Sequence, residues 1–482
     1  MNIIINIVNF IVIFSFSFLL GTKNIFKNIF YSFLISSLLT LEVVSFFYFG
    51  REVDEQFLFF LSNINIFHLA IDTEILILYY GTLFFIFSWW FIYFIIKKQI
   101  IKKYKKIIAS IFIILLFNPY GFFYSIIRSL TVDYVLSYYS YRNYSYNDIY
   151  KKIYGKDYII KDKIEILNSE QKRKNLVLIY LESYEQELLT NNKLKKYTKN
   201  LNKLAQKNEF YKNIEQLPST NGTMPGMFAT QCGSQYSSFN LFFNPYGKTY
   251  KNLQFVCFPD VLKKDGYTEI FIGGANKRLF NKGNLLFSHG YDKVYDETSL
   301  IEKYPEFKYT KVDWGIADID IFKAAKDEYI ELSKSNKPFN LTLLTSSTHN
   351  ISGEYDKRCP NTSDGKLLNA IECTDYIVND FINFLKKQKN YKNTIIVILP
   401  DHKQYQENQI KDILENYDKR KLDIIIINSG SNVKHNGDTY YTDLAKIILD
   451  KLNVKSNAVF LGKQENLKIT QNFIHKIHRE SK

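Results

Sequence analysis

The N-terminal part of the chain alternates long apolar runs with short polar segments. Each run is about long enough to cross a bilayer core of ~30 Å as a helix. The first run lacks a small-residue cleavage site, so we interpret it as a span and not as a signal peptide. The pattern predicts a transmembrane bundle over residues 1–128, with helices at residues 3–20, 29–49, 75–96 and 107–127.

The remainder of the chain has a different pattern. Residues 129–174 are polar and rich in tyrosine, which favours membrane interfaces, and they predict interfacial helices that link the bundle to a globular domain over residues 175–482. In that domain, continuous apolar runs alternate with amphipathic helical stretches, which predicts an α/β fold with a largely parallel sheet flanked by helices. The runs are 175–181, 269–272, 340–344, 394–399 and 422–427, and the helical stretches are 196–207, 319–335, 367–388 and 442–452.

Lysines are concentrated in two of the three loops between the predicted spans. The first loop carries Lys23 and Lys27, and residues 97–106 carry six lysines. The positive-inside rule assigns both loops to the cytoplasm, so the N-terminus and everything after Arg128 are expected outside. The net charge of +14 arises partly from the lysine-rich loop at residues 97–106 and partly from the outer domain. A basic outer surface favours anionic lipid head groups, and nucleic acid is not an expected partner there.

All four cysteines lie in the predicted outer domain, at Cys232, Cys257, Cys359 and Cys373. An even number in an oxidising compartment is what disulfides require. Pairing of sequence neighbours, Cys232 with Cys257 and Cys359 with Cys373, is one of three possible connectivities. A zinc cluster is the competing interpretation, although the chain has no C-x-x-C pair.

Chemically unusual residues follow the predicted strands. Ligands of parallel sheets collect at the carboxyl ends of the strands. Glu182, Asn276, His349 and the pair Asp401-His402 follow four of the apolar runs. Any one of them alone would more often be a turn or surface residue. Together they predict a divalent metal site, and mixed carboxylate and imidazole ligation suits zinc or manganese, with magnesium as a third candidate.

One stretch, residues 216–247, carries no charge in a chain that is 23% charged. Its first half is rich in Ser, Thr and Asn, which cap helices, and Pro225 suits a first helical turn, so we expect a helix to begin near Thr223. The free N–H groups of such a helix end favour an anion, and a hydroxyl beside a metal ion becomes a nucleophile. An ordinary helix cap is the alternative.

These motifs and their order resemble the alkaline-phosphatase and sulfatase superfamily. More narrowly they resemble the membrane-anchored phosphoglycerol and phosphoethanolamine transferases, above all the phosphoglycerol transferases of periplasmic glucans, and next the lipoteichoic acid synthases. The resemblance extends from about Asn175 to Lys463. It is carried by STNGTMPGMFATQCGS, GGANKRLFNKGNLLFSHGYDKVYD, KPFNLTLLTSSTHNISGEYDKRC and NTIIVILPDH, together with ECTDYIVNDFINFLKK and VDWGIAD.

The resemblance implies roles for individual residues. The implied metal ligands are Glu182, Thr220, Asp401 and His402. Thr220 would also be the nucleophile, because the spacing T-x-x-[ST]-x-P-x-M-F selects it over Thr223, which would be a supporting hydroxyl. Independently of the resemblance, we expect Lys277, Arg278 and His349 to hold the oxygens of a phosphate. Asn276 and Thr223 are further expected substrate contacts.

Two departures refine the implied activity. Gly226 stands where the phosphoethanolamine branch has a cysteine, which favours phosphoglycerol transfer. Cys232 is followed by Gly-Ser-Gln and not by the C-x-P-x-R segment that sulfatases need for their nucleophile, so sulfate ester hydrolysis is not expected.

The resemblance thus implies metal-dependent transfer of a phosphoglycerol head group from phosphatidylglycerol to an envelope glycan, through a phospho-threonine intermediate. The enzyme would be a multi-pass protein of the bacterial inner membrane, with its catalytic domain on the periplasmic side. The alternatives are a phosphoethanolamine transferase acting on lipid A or another glycan, a phosphodiesterase, and a catalytically inactive envelope scaffold. The sequence leaves His435 open as an active-site residue or a plain loop residue.

Overall fold

A computed structural model describes the chain over residues 24–49, 83–94, 161–168, 173–217, 220–234, 256–279, 282–349, 353–360, 362–363, 365–404, 408–416, 419–437, 439–460 and 462. The chain divides into two compact units, Met1–Arg142 and Asn143–Lys482.

The first unit contains helix α1 (Ile25–Phe49) and a helical stretch over residues 83–94. The Ser32 hydroxyl donates to the Trp89 carbonyl at 3.5 Å, and Phe33 packs edge-on against Trp89. In the described part of the chain, no helix combines the length and the apolar character that a membrane crossing requires. The predicted spans 3–20 and 107–127, and most of the predicted interfacial linker, lie outside the described residues.

The second unit is built on an eight-stranded, mostly parallel sheet, as the sequence predicts. The strands are β1 (Asn175–Leu181), β2 (Glu209–Ile214), β3 (Thr268–Gly273), β4 (Lys293–Tyr295), β5 (Lys311–Val312), β6 (Gly315–Ile316), β7 (Phe339–Leu344), β8 (Thr394–Pro400), β9 (Leu422–Ile427) and β10 (Lys434–Asn436). The order in the sheet is β10-β2-β9-β8-β1-β7-β3-β4, and a separate two-stranded hairpin consists of β5 and β6.

Strand direction changes on one side of the sheet. β8, β1, β7, β3 and β4 are mutually parallel, whereas β9 runs antiparallel to both β8 and β2. All five predicted apolar runs are strands. The strands β2, β4, β5, β6 and β10 have weaker apolar patterns, and the sequence does not predict them.

Helices cover both faces of this sheet. They are α2 (Glu187–Thr190), α3 (Lys199–Lys207), α4 (Thr223–Cys232), α5 (Phe258–Lys264), α6 (Lys282–Ser288), α7 (Glu297–Lys303), α8 (Asp318–Ser333), α9 (Lys366–Lys386) and α10 (Leu444–Leu452). Short 3-10 turns occupy Lys161–Lys163, Lys195–Tyr197, Pro305–Thr310, Tyr391–Asn393 and Tyr441–Asp443. The four predicted helical stretches correspond to α3, α8, α9 and α10.

The core is split by the sheet into two layers, which explains why the central strands read as continuous apolar runs. Every residue of β1 is buried. Val177 and Ile179 face the layer that contains α3, α8 and α9, while Leu178 and Tyr180 face the layer that contains α5 and α10. A strand covered on both faces gains from apolar side chains at every position.

Candidate active site

The candidate site begins where β1 and β8 end side by side. The two strands pair in parallel with Leu181 opposite Pro400, so Glu182 and Asp401 emerge as neighbours at the same edge. The backbone N–H of Ser183 donates to Asp401 Oδ1 at 2.8 Å, and the N–H of His402 donates to the same oxygen at 2.8 Å. Strand register therefore holds residues together that lie more than 200 positions apart.

Glu182, Asp401 and His402 form a buried cluster. His402 Nε2 lies 3.2 Å from Glu182 Oε1 and 3.6 Å from Asp401 Oδ2. The other ring nitrogen, Nδ1, lies 2.7 Å from the carbonyl of Lys403, so the ring turns Nε2 toward the two carboxylates. Ligand atoms of the three residues all lie within 4.8 Å of one another, so the structure brings together three of the four residues that the sequence implies as metal ligands, without Thr220.

The charges of this cluster fit a divalent cation. Burial and the negative charge of Glu182 raise the pKa of Asp401 to about 8. Burial opposes protonation of His402, but the carboxylates of Asp401 and Glu182 raise its pKa to about 9. Asp401 Oδ2 has no hydrogen-bond partner among the described residues. A cation would relieve the repulsion between the carboxylates and bind this oxygen, and two carboxylates with an imidazole suit zinc or manganese.

The two candidate threonines lie at the start of α4, which begins at Thr223 as the sequence predicts. The Thr223 hydroxyl donates to Glu182 Oε2 at 3.1 Å. The Thr220 hydroxyl is buried and donates to the carbonyl of Leu217 at 2.7 Å. The structure therefore brings Thr223 into direct contact with the cluster, while the hydroxyl of Thr220 is held by its own loop.

Gly226 explains how closely this helix approaches the cluster. A Cβ atom at Gly226 would lie 2.0 Å from the backbone oxygen of Asp401 and 3.6 Å from that of Thr220. Only a residue without a side chain fits between these two backbone segments. The absence of a side chain at Gly226 thus lets the threonine loop, which we define as residues 220–223, pack directly on the backbone of Asp401.

A cavity opens beside the cluster. Its polar lining consists of Glu182, Thr223, Lys282, Trp314, Thr345, Ser346 and His349, and its apolar lining includes Met224, Leu279 and Leu344. His349 was predicted at this edge, and its ring lies 4.1 Å from the ring of Trp314, measured between centroids. The cavity is therefore lined on one side by the candidate metal site and elsewhere by the Lys282 side chain and the rings of Trp314 and His349.

Three other predicted residues do not line this cavity. Lys277 forms an ion pair with Asp296 at 3.2 Å. The Asn276 side chain accepts the backbone N–H of Arg278 at 2.9 Å, and Arg278 is exposed. The loop after β3 instead lines the cavity with Gly274 and Ala275. Residues this small give no sign in the sequence that they border a site.

Lys282 and Trp314 are two of the cavity residues to which the sequence assigned no role. Lys282 is buried at the start of α6, and burial lowers its pKa to about 8 against the opposing charges of Glu182 and Asp296. Nothing distinguishes one lysine in so lysine-rich a chain. Trp314 belongs to the VDWGIAD stretch, but its place in the cavity depends on a hairpin too short to predict.

The cysteines and His435 lie elsewhere in the unit. Disulfides join Cys232 to Cys257 and Cys359 to Cys373, which is the neighbour pairing that the sequence predicts. His435 lies on β10 and not in a loop, where Nε2 is 3.0 Å from Glu209 Oε1. It does not line the cavity.

Residues 174–454 match the model of the sulfatase family, and the chain belongs to that family. It is 31% identical over 270 residues to phosphoglycerol transferase I of Xanthomonas campestris pv. campestris, covering 55% of this chain and 38% of that protein. It is 33% identical over 243 residues to the phosphoglycerol transferase I of Escherichia coli O127:H6, covering 47% and 30%. The chain thus spans less than two fifths of the length of these relatives.

Two solved structures share the fold. The lipoteichoic acid synthase LtaP from Listeria monocytogenes matches with a TM-score of 0.51 and 17% identity, over 64% of this chain and 79% of that one. The integral membrane protein lipooligosaccharide phosphoethanolamine transferase A (EptA) from Neisseria meningitidis matches with a TM-score of 0.53 and 14% identity, over 93% and 95%.

Proposed function

We propose that this chain is a metal-dependent phosphotransferase that moves a phosphoglycerol head group from phosphatidylglycerol to an envelope glycan. The observation that carries the proposal is the buried cluster of Glu182, Asp401 and His402, with Thr223 in contact and Lys282 in the adjoining cavity. The names of the two phosphoglycerol transferase relatives support the choice of head group.

Glu182, Asp401 and His402 would hold the divalent cation together with the hydroxyl of Thr220. When bound, the cation lowers the pKa of a ligated hydroxyl and stabilises developing negative charge on phosphate oxygens. Thr220 must give up its hydrogen bond to the Leu217 carbonyl to reach the cluster. The contact between Thr223 and Glu182 then orients the carboxylate, as expected of a supporting hydroxyl.

The proposed reaction has two displacements at phosphorus. Thr220 Oγ attacks the phosphodiester and loses its proton, the bond to the diacylglycerol oxygen breaks, and that oxygen takes up a proton. A glycan hydroxyl then attacks the phosphoglyceryl-threonine and restores the Thr220 hydroxyl. Lys282 and His349 would donate hydrogen bonds to the phosphate oxygens, and their position in the cavity lining supports this role.

Mass spectrometry after incubation with phosphatidylglycerol and Mn²⁺ or Zn²⁺ tests the proposal. We expect a phosphoglycerol adduct on Thr220 that is absent after chelation and in Thr220→Ala. Thr190→Ala is a matched control, because Thr190 is an exposed threonine at the end of α2. Unmodified Thr220 with full transfer activity in Thr220→Ala would refute this mechanism, and an adduct on Thr223 would reassign the nucleophile.

We further propose that the catalytic unit works outside the cytoplasm, tethered to the bilayer in which its lipid donor lies. Its two disulfides support an oxidising compartment. Protease added to spheroplasts should cleave the unit while cytoplasmic markers stay intact. Protection of the unit until the membrane is lysed would contradict this location.

A further inference from the structure

Arg420 is a buried arginine just before β9, at the edge of the sheet that carries the candidate metal cluster. Because β9 runs antiparallel to β8, the start of β9 lies at the edge where β8 ends. A parallel strand at this place would present its carboxyl end instead. The reversed direction of β9 therefore brings Arg420, two positions before Leu422, to the edge where Asp401 and His402 follow β8.

The guanidinium group of Arg420 joins the two loops that carry the candidate metal ligands. Its Nη1 donates to Glu185 Oε1 at 3.0 Å, and its Nη2 donates to the backbone carbonyl of Gln404 at 3.0 Å. Glu185 lies three residues after Glu182, and Gln404 lies two residues after His402. The side chains of Arg420 and Glu185 are 1% and 0% exposed, so bulk water does not compete for this ion pair.

The end of this bridge at Gln404 is next to the group that orients the His402 ring. Nδ1 of His402 lies 2.7 Å from the carbonyl of Lys403, which belongs to the peptide bond that joins Lys403 to Gln404. A carbonyl only accepts, so Nδ1 carries a proton and Nε2 is the nitrogen left for a cation. Groups that orient a metal-binding histidine in this way contribute to the affinity of the site for its metal.

The other end of the bridge is attached to the loop after β1. The backbone N–H of Gln186 donates to the carbonyl of Lys421 at 3.0 Å, next to the ion pair between Arg420 and Glu185. A guanidinium group is planar and holds its donors in a rigid fork, whereas an ammonium group acts as a single point. Arg420 therefore fixes the spacing between its two acceptors in a way that a lysine does not.

We propose that Arg420 is a positioning residue, which holds the loops after β1 and β8 at the separation that Glu182 and His402 need to bind one divalent cation. This inference rests on the proposed function for the binding of a cation at this cluster. Arg420 is not among the described residues that line the cavity, so it acts on the cluster through Glu185 and the carbonyl of Gln404.

Calorimetric titration of the full chain with Mn²⁺ and with Zn²⁺ tests this role without any turnover. In Arg420→Lys we expect the dissociation constant of the cation to rise about tenfold, the lower end of the effect of residues that support a metal ligand. The lower end applies because Gln404 is also held through its side chain, whose Nε2 donates to the carbonyl of Thr348 at 3.2 Å. Binding at the cluster is the part of the signal that Asp401→Asn removes.

Arg173→Lys is the matched control. Arg173 is also a buried arginine with a forked set of bonds, to the carboxylate of Asp265 and to the carbonyls of Asn453 and Asn168. It lies two residues before β1, at the end of that strand opposite the cluster. Both substitutions should lower the urea concentration at which the domain unfolds, whereas only Arg420→Lys should weaken cation binding.

The outcomes separate this role from a purely structural one and from the proposed activity. Unchanged cation affinity in Arg420→Lys, or an equal loss in Arg173→Lys, overturns the positioning role. If Arg420→Lys does not fold, Glu185→Ala removes the bridge from its other end and should show the tenfold rise by itself, and unchanged affinity there overturns the role.

The native chain decides the proposed function separately. Weaker cation binding in Arg420→Lys, together with no transfer from phosphatidylglycerol by the native chain, would support the positioning role and refute the proposed function. A native chain that transfers the head group, with unchanged cation affinity in Arg420→Lys, would do the opposite. A native chain that binds neither Mn²⁺ nor Zn²⁺ would overturn both.

Discussion

Substitution of Gly226 tests how closely the threonine loop packs against the candidate metal cluster. In Gly226→Ala the new Cβ atom would lie 2.0 Å from the backbone oxygen of Asp401, and real Cβ atoms essentially never approach closer than 3.0 Å. Helix α4 and the end of β8 must therefore move apart by about 1 Å. The clash is with backbone, so no side-chain rotation relieves it.

Two effects of different size should follow. Overpacking of this kind typically costs about 1–3 kcal/mol in the free energy of unfolding. Displacement of a reacting group by about 1 Å costs on the order of 100-fold in rate. Because the displaced segments carry Thr220 and Asp401, we expect the proposed transfer activity to fall about 100-fold in a variant that still folds.

Urea unfolding and the transfer rate from phosphatidylglycerol measure the two effects separately. Gly222→Ala is the matched control, because its Cβ would lie 3.7 Å from Pro225 Cδ, an ordinary contact, and its φ of 174° is extended. Gly222 is half-buried at the N-cap of α4, where alanine is less favoured than glycine, so we expect Gly222→Ala to lose about 1 kcal/mol or less and to keep the native transfer rate. If Gly226→Ala matches the native chain in both stability and rate, the proposed close packing of the loop on Asp401 is wrong.

Two further predictions concern stability. Replacing both Cys232 and Cys257 by serine should lower the free energy of unfolding by about 3.5 kcal/mol, as chain entropy implies for a separation of 25 residues, and a loss below about 1 kcal/mol in urea unfolding would contradict this. Burial and the charge of Glu185 raise the pKa of Asp423 to about 8. Since this folded-state pKa exceeds the unfolded value, Asp423 costs stability as the pH rises from about 4 to 8. Asp423→Asn should therefore flatten the fall in unfolding free energy across that range, and an unaltered pH profile would show that Asp423 does not titrate as proposed.

Periodicity was enough to predict the central part of the fold. β1, β7, β8 and β9 are covered on both faces, so their sequences are continuously apolar and stand out. The antiparallel direction of β9 was not predictable, because a buried antiparallel strand has the same pattern as a parallel one. The short strands at the edges of the sheet bury fewer side chains and leave a weaker pattern.

The candidate site was predictable where its metal-ligating residues come directly after a strand. Glu182, Asp401 and His402 come together because parallel register fixes the residues that follow paired strands. Lys282 and Trp314 depend on how a helix and a hairpin fold back over the sheet, which no local pattern encodes. Spacing singled out Thr220, whereas the direct contact with Glu182 is made by Thr223, so only the adduct experiment decides between them.

The pairing of β1 with β8 also sets the time at which the cluster can exist during synthesis. Ser183 and Asp401, which share a hydrogen bond, are 218 residues apart. At about 5–20 residues per second, a ribosome needs roughly 10–45 s to make the intervening chain. Glu182 and both threonines are therefore complete long before Asp401 and His402 exist, and the nascent chain cannot assemble this candidate metal site until most of the domain has been translated.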